Sequence, residues 1–355
     1  MSIRDFSLRT RWLGTAAFAI LTSFLLAGCG GTTGGGVGTV HYALPSVPTT
    51  AVSIDSSSST NVTKDALGAA TGTLDSSAAG VSGFTRSNNT VKLHLNEAVA
   101  LANKFVAKGA TADMQGLTAT VNCSTTGTIK VTTSGNDWRI DFNNCGDPAL
   151  YVTDGSIAAT NVQRTGTASS PPFSVSAHYS YDLTFTYNSG ATQIEEMGKF
   201  DINFGDDGSN ILTSVITNGE MGIANITTGK SIVVSNINRT RSCDSYDSST
   251  WTCTGTFSEY GGYTVAGDVC GGSFTVTVPS ASPITVDLGA GAQHPYSGII
   301  QVDGAHNSQL IITVNDDELG TTGAAYDLHL AGDPDTTDTV VVGGEWSLDA
   351  DWGTI

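Results

Sequence analysis

The longest regular pattern in the chain is an alternation. From residue 173 to 187 the odd positions carry Phe173, Val175, Ala177, Tyr179, Tyr181, Leu183, Phe185 and Tyr187. The even positions carry Ser174, Ser176, His178, Ser180, Asp182, Thr184 and Thr186. Period two over this length predicts a β-strand with one apolar and one polar face. At about 3.3 Å per residue it runs roughly 50 Å, which is long for a compact sandwich and predicts a tall, curved sheet or a bend partway. Shorter runs predict strands at Trp138–Phe142, Lys199–Phe204, Ile211–Ile216, Ser231–Ile237, Ser273–Val278, Ile284–Leu288, Gly298–Val302, Leu310–Val314, Tyr326–Leu330 and Val340–Val342. Turn signals stand between them: Asn188-Ser189-Gly190, Gly205-Asp206-Asp207-Gly208, Asn218-Gly219 and Asp303-Gly304. Ser169-Ser170-Pro171-Pro172 reads as a break between sub-blocks. One helix is predicted near residues 96–108. Asn96 caps it, Ala98, Leu101, Ala102 and Phe105 share a face, and Gly109 ends it. The expected fold class is mainly β: an antiparallel meander, as a large curved sheet or a sandwich, with one short N-terminal helix packed on it.

The first 28 residues follow a different pattern. Arg4, Arg9 and Arg11 precede a mostly apolar run from Leu13 to Leu26, and Leu26-Ala27-Gly28-Cys29 closes it. The run is short for a membrane span, which needs about 20 apolar residues, and has the parts of an export signal. The closing residues resemble the lipobox of bacterial lipoproteins. That resemblance implies cleavage between Gly28 and Cys29 and acylation of Cys29. Each buried methylene contributes about 0.8 kcal/mol, so two or three chains anchor durably. Gly30 after the cysteine implies sorting to the outer membrane. The expected organisation is a signal peptide (1–28), a Gly/Ser/Thr-rich disordered tether (29–85), a helix plus β-meander (86–240), and an acidic β region continuous with it (241–355).

Composition narrows the partners. The chain has 15 Lys and Arg against 33 Asp and Glu. Without the signal peptide, 12 basic and 32 acidic residues remain, a formal net charge of −20. Residues 242–355 hold 16 acids and no Lys or Arg. Such a surface repels nucleic acid and anionic headgroups, so a nucleic-acid role is not expected. Setting Cys29 aside leaves Cys123, Cys145, Cys243, Cys253 and Cys270 in an exported, oxidising setting. Cys123–Cys145 and Cys243–Cys253 each bracket a hairpin-like stretch. Cys253–Cys270 is the alternative, and an odd count leaves one thiol over.

Three passages carry a family resemblance: Val121-Asn122-Cys123-Ser124-Thr125-Thr126-Gly127-Thr128-Ile129; Ile140-Asp141-Phe142-Asn143-Asn144-Cys145 with Thr153-Asp154-Gly155-Ser156; and Tyr296-Ser297-Gly298-Ile299-Ile300-Gln301-Val302-Asp303-Gly304-Ala305. Across most of residues 90–352 the chain resembles β-rich proteobacterial outer-membrane lipoproteins of unknown function. The resemblance supports Cys123–Cys145 and transfers no catalytic residue. In such proteins the late Asp-rich turn reads as a calcium loop. Here Asp333, Asp335 and Asp338 are the candidate ligands, but the run lacks the loop glycine and Glu345 falls thirteenth rather than twelfth.

Ala224-Asn225-Ile226-Thr227-Thr228-Gly229-Lys230-Ser231 matches a relaxed phosphate-loop pattern, but an apolar β-run follows where a helix belongs, so it reads as a hairpin turn. His41, His94, His178, His294, His306 and His329 share no metal spacing, and His178 and His329 read as solvated. Glu195, Glu196 and Glu220 are the carboxylates available for glycoside hydrolysis, with exposed loop acids as the simpler reading. Tyr246, Trp251, Tyr260 and Tyr263 suit sugar stacking, protein contact or cross-strand pairing; Trp346 and Trp352 read as closing the core. No cofactor is implied. The expected function is a non-enzymatic, lipid-anchored interaction module of the cell envelope, with an envelope protein or glycan as partner. A lipid or lipoprotein carrier with an apolar cavity between helix and sheet is the first alternative, and a carbohydrate-binding or carbohydrate-active protein the second.

Overall fold

The computed structural model describes residues 37–55, Ser58, Ser59, Val62, Ala66 and, with short interruptions at connections, 118–341. The strands are β1 (Thr118–Asn122), β2 (Thr126–Ser134), β3 (Asp137–Asp147), β4 (Tyr151–Thr167), β5 (Ser170–Tyr187), β6 (Thr192–Asp206), β7 (Leu212–Asn225), β8 (Lys230–Cys243), β9 (Tyr246–Asp247), β10 (Thr252–Cys253), β11 (Thr256–Gly267), β12 (Gly272–Val278), β13 (Ile284–Asp287), β14 (Ser297–Asp303), β15 (Gln309–Asn315), β16 (Ala325–Leu330) and β17 (Thr337–Val341). Fifteen of them form one antiparallel sheet that meanders from β1 to β8, continues to β11, β12 and β14, and ends at β17. β13 bridges β11 and β14, while β9 and β10 form a separate hairpin. The acidic C-terminal region therefore continues the same sheet.

The predicted alternation is present from Phe173 to Thr186, with Ser180 buried under Val40. Phe173, Val175, Ala177, Tyr179, Tyr181, Leu183 and Phe185 are buried on what we call the inner face, and Ser174, Ser176, His178, Asp182 and Thr184 lie half-buried on the outer face. Aromatic pairs tie the inner face across strands. Tyr179 stacks on Phe200 at 5.1 Å, and the Trp138 ring meets Tyr179 edge-on at 5.8 Å. An apolar buried face and a polar outer face reverse the pattern of a membrane-spanning barrel. Among the described residues no helix is long and apolar enough to cross a membrane.

The long strands bend at one level. Register shifts fall between Thr160 and Gln163 on β4, Lys199 and Asp201 on β6, Ile216 and Gly219 on β7, and Gly262 and Thr264 on β11. Asn161, Asn218 and Asn236 adopt φ of 56°, 52° and 54° along this line. Asparagine tolerates the left-handed region better than most residues, and each bulge adds local twist. This corrects one expectation: Asn218-Gly219 is not a hairpin turn but a bulge inside β7, because the αL geometry that suits a tight turn also suits a bulge.

Three further expectations change. Ser170-Pro171-Pro172 opens β5 at the mouth of the β4–β5 hairpin, where Thr167 pairs with Ser170, so it does not divide sub-blocks. β1, β2, β4 and β11 were not among the predicted strands; their short polar and glycine-containing runs hide the period. The predicted helix near residues 96–108 lies outside the described residues. The stretch expected as a tether contains an ordered strap at residues 37–55. Val40 N–H donates to Ser180 Oγ on β5 at 2.9 Å, and Tyr42 Oη–H donates to Glu220 Oε1 on β7 at 2.5 Å. Leu44 and Pro45 lie over Gly222, where a Cβ would come within 3.2 Å of Leu44. Ala51 then pairs with Ser273 of β12 in a parallel bridge. The Val52 carbonyl accepts from Ala305 N–H, and Ile54 N–H donates to Ser308 Oγ at 2.8 Å. Beyond that point Ile54, Val62 and Ala66 join the core cluster of the inner face.

Candidate functional site

Among the described residues these strands build a buried charged cluster on the inner face, a charged row on the outer face and two grooves. The first charged site is on the inner face. Arg239 and Arg241 of β8 and Glu259 of β11 are all about 2% exposed or less. The strand period puts positions 239 and 241 on one side, and Glu259 is the register partner of Arg241. Arg241 Nε donates to Glu259 Oε2 at 2.8 Å, and Arg239 pairs with Glu259 Oε1. The Arg239 guanidinium lies 5.1 Å from the Tyr263 ring centre, and Tyr263 Oη–H donates to the Ala66 carbonyl at 3.0 Å. Burial draws Arg239 down to about 10, against the opposing influence of Tyr263. Burial likewise pushes the Tyr263 phenol up to about 12. Arg239 is still fully charged at neutral pH.

The second charged site is a row on the outer face under the strap. Lys199 Nζ lies 3.2 Å from Glu220 Oε1, the atom that also receives Tyr42. The Tyr42 hydrogen bond, with help from Lys199, outweighs partial burial and holds the Glu220 carboxyl below its ordinary range. Beside it His178 Nδ1 meets Asp201 Oδ1 at 2.8 Å, and Asn218 Nδ2 donates to Asp201 Oδ2 at 2.8 Å. Burial pushes Asp201 up, but the hydrogen bonds of Asn218 and His178 and the charges of His178 and Lys199 prevail and leave it lowered. The expectation of a solvated His178 is therefore corrected: the polar face pairs it with a carboxylate.

Glu220 makes the strap acid-sensitive. Its folded pKa lies below the unfolded value, so the contribution of the contact is complete above the usual glutamate range and is lost as the pH falls through the folded value. We expect amide exchange of residues 40–45 to be slow at neutral pH and to rise below about pH 4 relative to β5. Tyr42→Phe should raise it already at neutral pH while changing global stability by about 1 kcal/mol or less. Unchanged exchange in Tyr42→Phe would show that the clamp does not hold the strap.

The sequence-nominated residues are dispersed. Gly28, Cys29, Asp333, Asp335, Trp251, Trp346 and Trp352 lie outside the described residues. Asp338 stands in β17 opposite Leu328. Glu195 and Glu196 are adjacent and therefore point to opposite faces. Glu196 is buried inside, while Glu195 sits outside, raised by burial and by the charge of Asp182. Glu220, the third acid of that set, serves the strap. Tyr263 is internal, Tyr246 donates from its hydroxyl to Asp206 at 2.5 Å, and Tyr260 alone of these three is exposed on the outer face. The proposed aromatic cluster does not assemble from them. Residues 226–229 form the tight turn between β7 and β8, with Gly229 N–H donating to the Asn225 carbonyl at 2.8 Å, as expected in place of a phosphate loop. Among the described residues no three His, Cys, Asp or Glu side chains converge to hold a metal.

Cys123 and Cys145 form a disulfide with a Cα–Cα distance of 5.5 Å, joining the end of β1 to β3. Cys243 is disulfide-bonded as well, and Cys270, in the turn between β11 and β12, directs its thiol to the Gly272 carbonyl at 3.2 Å. The backbone of Cys253 lies on β10 opposite Tyr246; its side chain is outside the described set.

Both grooves open on the outer face. One, of about 540 Å³, lies at the strand ends around Phe173, Asn203, Asp206 and Thr213. The other, of about 410 Å³, lies over Gly261 and Gly262 beside Tyr260. Sequence reasoning named Tyr260 but missed its neighbours on β8 and β12. The available signal was the glycine pair inside an apolar–polar run, which marks a bulge or a close approach. No family model, curated protein or solved structure matches the chain.

Proposed function

We propose that the chain is a lipid-anchored protein of the cell envelope that works as a non-enzymatic interaction module. Cleavage after Gly28 would free Cys29 for acylation, and Gly30 favours the outer membrane. The observation that carries the reading is the lipobox Leu26-Ala27-Gly28-Cys29 set a few residues ahead of an ordered strap. Seven residues lie between Cys29 and Val37, and the stretch spans at most about 30 Å when extended. The body is then held close to its anchor, with the strapped outer face as the element nearest the attachment. A net charge of −20 without the signal peptide keeps it from lying flat on anionic headgroups. The packed inner face, where Ile129, Leu183, Phe185, Phe257 and Val276 are fully buried, supports a module that binds with its outer face rather than a carrier that opens its core. Cys243–Cys253 is the second bridge proposed for this oxidising compartment.

Metabolic labelling with an alkyne palmitate tests the anchor. Label is expected on the wild type and absent from Cys29→Ala, which should also leave the membrane fraction. An unlabelled wild-type chain would refute the proposal.

A further inference from the structure

The groove at the crossing of β8, β11 and β12 has no charged residue in its lining, whereas the other groove holds Asp206 and Asp207. Several polar side chains of the outer face are tied to one another: Asp201 to His178 and Asn218, Ser242 to Ser258, and Asp303 to Gln301 and Gln309. Around the groove the side chains of Asn238, Thr240, Thr275 and Thr277 have no hydrogen-bond partner among the described residues, and neither has the hydroxyl of Tyr260. The floor is made by Gly261 and Gly262. Gly261 holds φ of +132°, and a Cβ there would collide with the Asn238 carbonyl. The bulge at Gly262/Thr264 and the left-handed Asn236 open the depression further.

Tyr260 stands over this floor. Of the large apolar side chains exposed among the described residues, Ile211 and Ile226 flank the ends of β7, whereas Tyr260 sits in mid-strand, 36% exposed. The groove therefore combines one exposed aromatic face with the Asn238 amide and the hydroxyls of Thr240, Thr275, Thr277 and Tyr260 around bare backbone, beside the hydrogen-bonded pair of Asn236 and Thr264. It has no cation to attract an anion. Residues 242–355 contain no Lys or Arg, and Arg239 and Arg241 of β8 are buried on the opposite face. The depression, of about 410 Å³, is open to solvent and leaves a bound ligand partly exposed.

From this geometry we infer that the groove binds a neutral glycan chain. A pyranose ring lays its C–H face on Tyr260, and its hydroxyls exchange hydrogen bonds with the amide of Asn238, which both donates and accepts, and with the three threonine hydroxyls. Because every one of these protein groups is uncharged, recognition depends little on salt. The inference deepens the interaction-module reading by naming the partner's chemistry, and rests on it for the compartment in which glycans are met.

Titration calorimetry of the full chain against cellohexaose, maltohexaose, laminarihexaose and chitohexaose tests it, with a galacturonic acid oligomer as the charged counterpart. Saturable binding of at least one neutral oligosaccharide is expected. Tyr260→Ala should weaken it about tenfold or more and Asn238→Ala several-fold, both with unchanged unfolding midpoints. Asn203→Ala, in the other groove, should bind as the wild type does. Absence of neutral-sugar binding up to about 10 mM, wild-type affinity in Tyr260→Ala, or binding of the charged oligomer alone would each overturn the inference. Failure here with Cys29-dependent labelling intact leaves the envelope reading standing. Loss of labelling with sugar binding retained overturns the anchor and not the groove.

Discussion

Replacing Glu259 by glutamine is expected to lower folding stability by about 3–5 kcal/mol, the usual cost of breaking a buried ion pair by removing one partner. The substitution keeps the shape and removes the charge. It leaves Arg239 and Arg241, each about 2% exposed or less, facing a neutral amide that can accept at only one atom. Arg239 does not escape by losing its proton, since burial draws it down only to about 10. Chemical denaturation followed by tryptophan fluorescence checks it: the midpoint should fall with no change in slope. Glu220→Gln, a change of the same kind on the half-exposed outer face, should cost about 1 kcal/mol or less. Comparable losses in the two variants would mean that the inner cluster is not shielded from water.

Removing the Cys123–Cys145 bridge ranks next. The bond spans 22 residues, and in the chain-entropy account closing a loop of that size restricts the unfolded chain by about 3 kcal/mol. It pins β1 and β2 at the end of the described sheet, where β1 has a single hydrogen-bonded neighbour among the described residues. Cys123→Ala/Cys145→Ala should lose about 3 kcal/mol in the same assay, with exchange in residues 118–134 rising most. Wild-type stability in the double variant would show that the bridge restrains nothing the ladder does not already hold.

Legibility in the sequence varied with how local the cause was. β5 was readable because its side chains alternate without a break, and because burial of Phe173, Tyr179 or Phe185 needs no knowledge of the partner strand. β7 was misdivided at Asn218-Gly219, since one left-handed residue serves a turn and a bulge equally well. The strap was hidden by composition. Its alternation of Val40, Tyr42 and Leu44 is a strand-like signal, but glycine and serine runs on both sides made the whole stretch read as tether. The buried cluster could not be anticipated from residues 239, 241 and 259, which look like ordinary polar positions of an exposed strand. Their burial depends on which face the bulged register turns inward. The groove has the same origin: Tyr260 was noticed, while Asn238 and Thr275 became its neighbours through pairing with β8 and β12.

The sequence by itself determined that this is an antiparallel β-protein with one apolar face. It also determined an acidic composition. Both follow from local alternation or residue charge and hold in any arrangement of the strands, whereas the Cys123–Cys145 pair suggested by the sequence needed the register of β1, β2 and β3 to bring its Cα atoms to 5.5 Å. Only the tertiary structure decided that residues 37–55 cross the outer face, that two arginines and a glutamate share the core, and that a tyrosine overlooks a glycine-floored groove. These contacts join residues as far apart as Ile54 and Ser308. They depend on register, and a shift of one residue would turn every side chain to the opposite face.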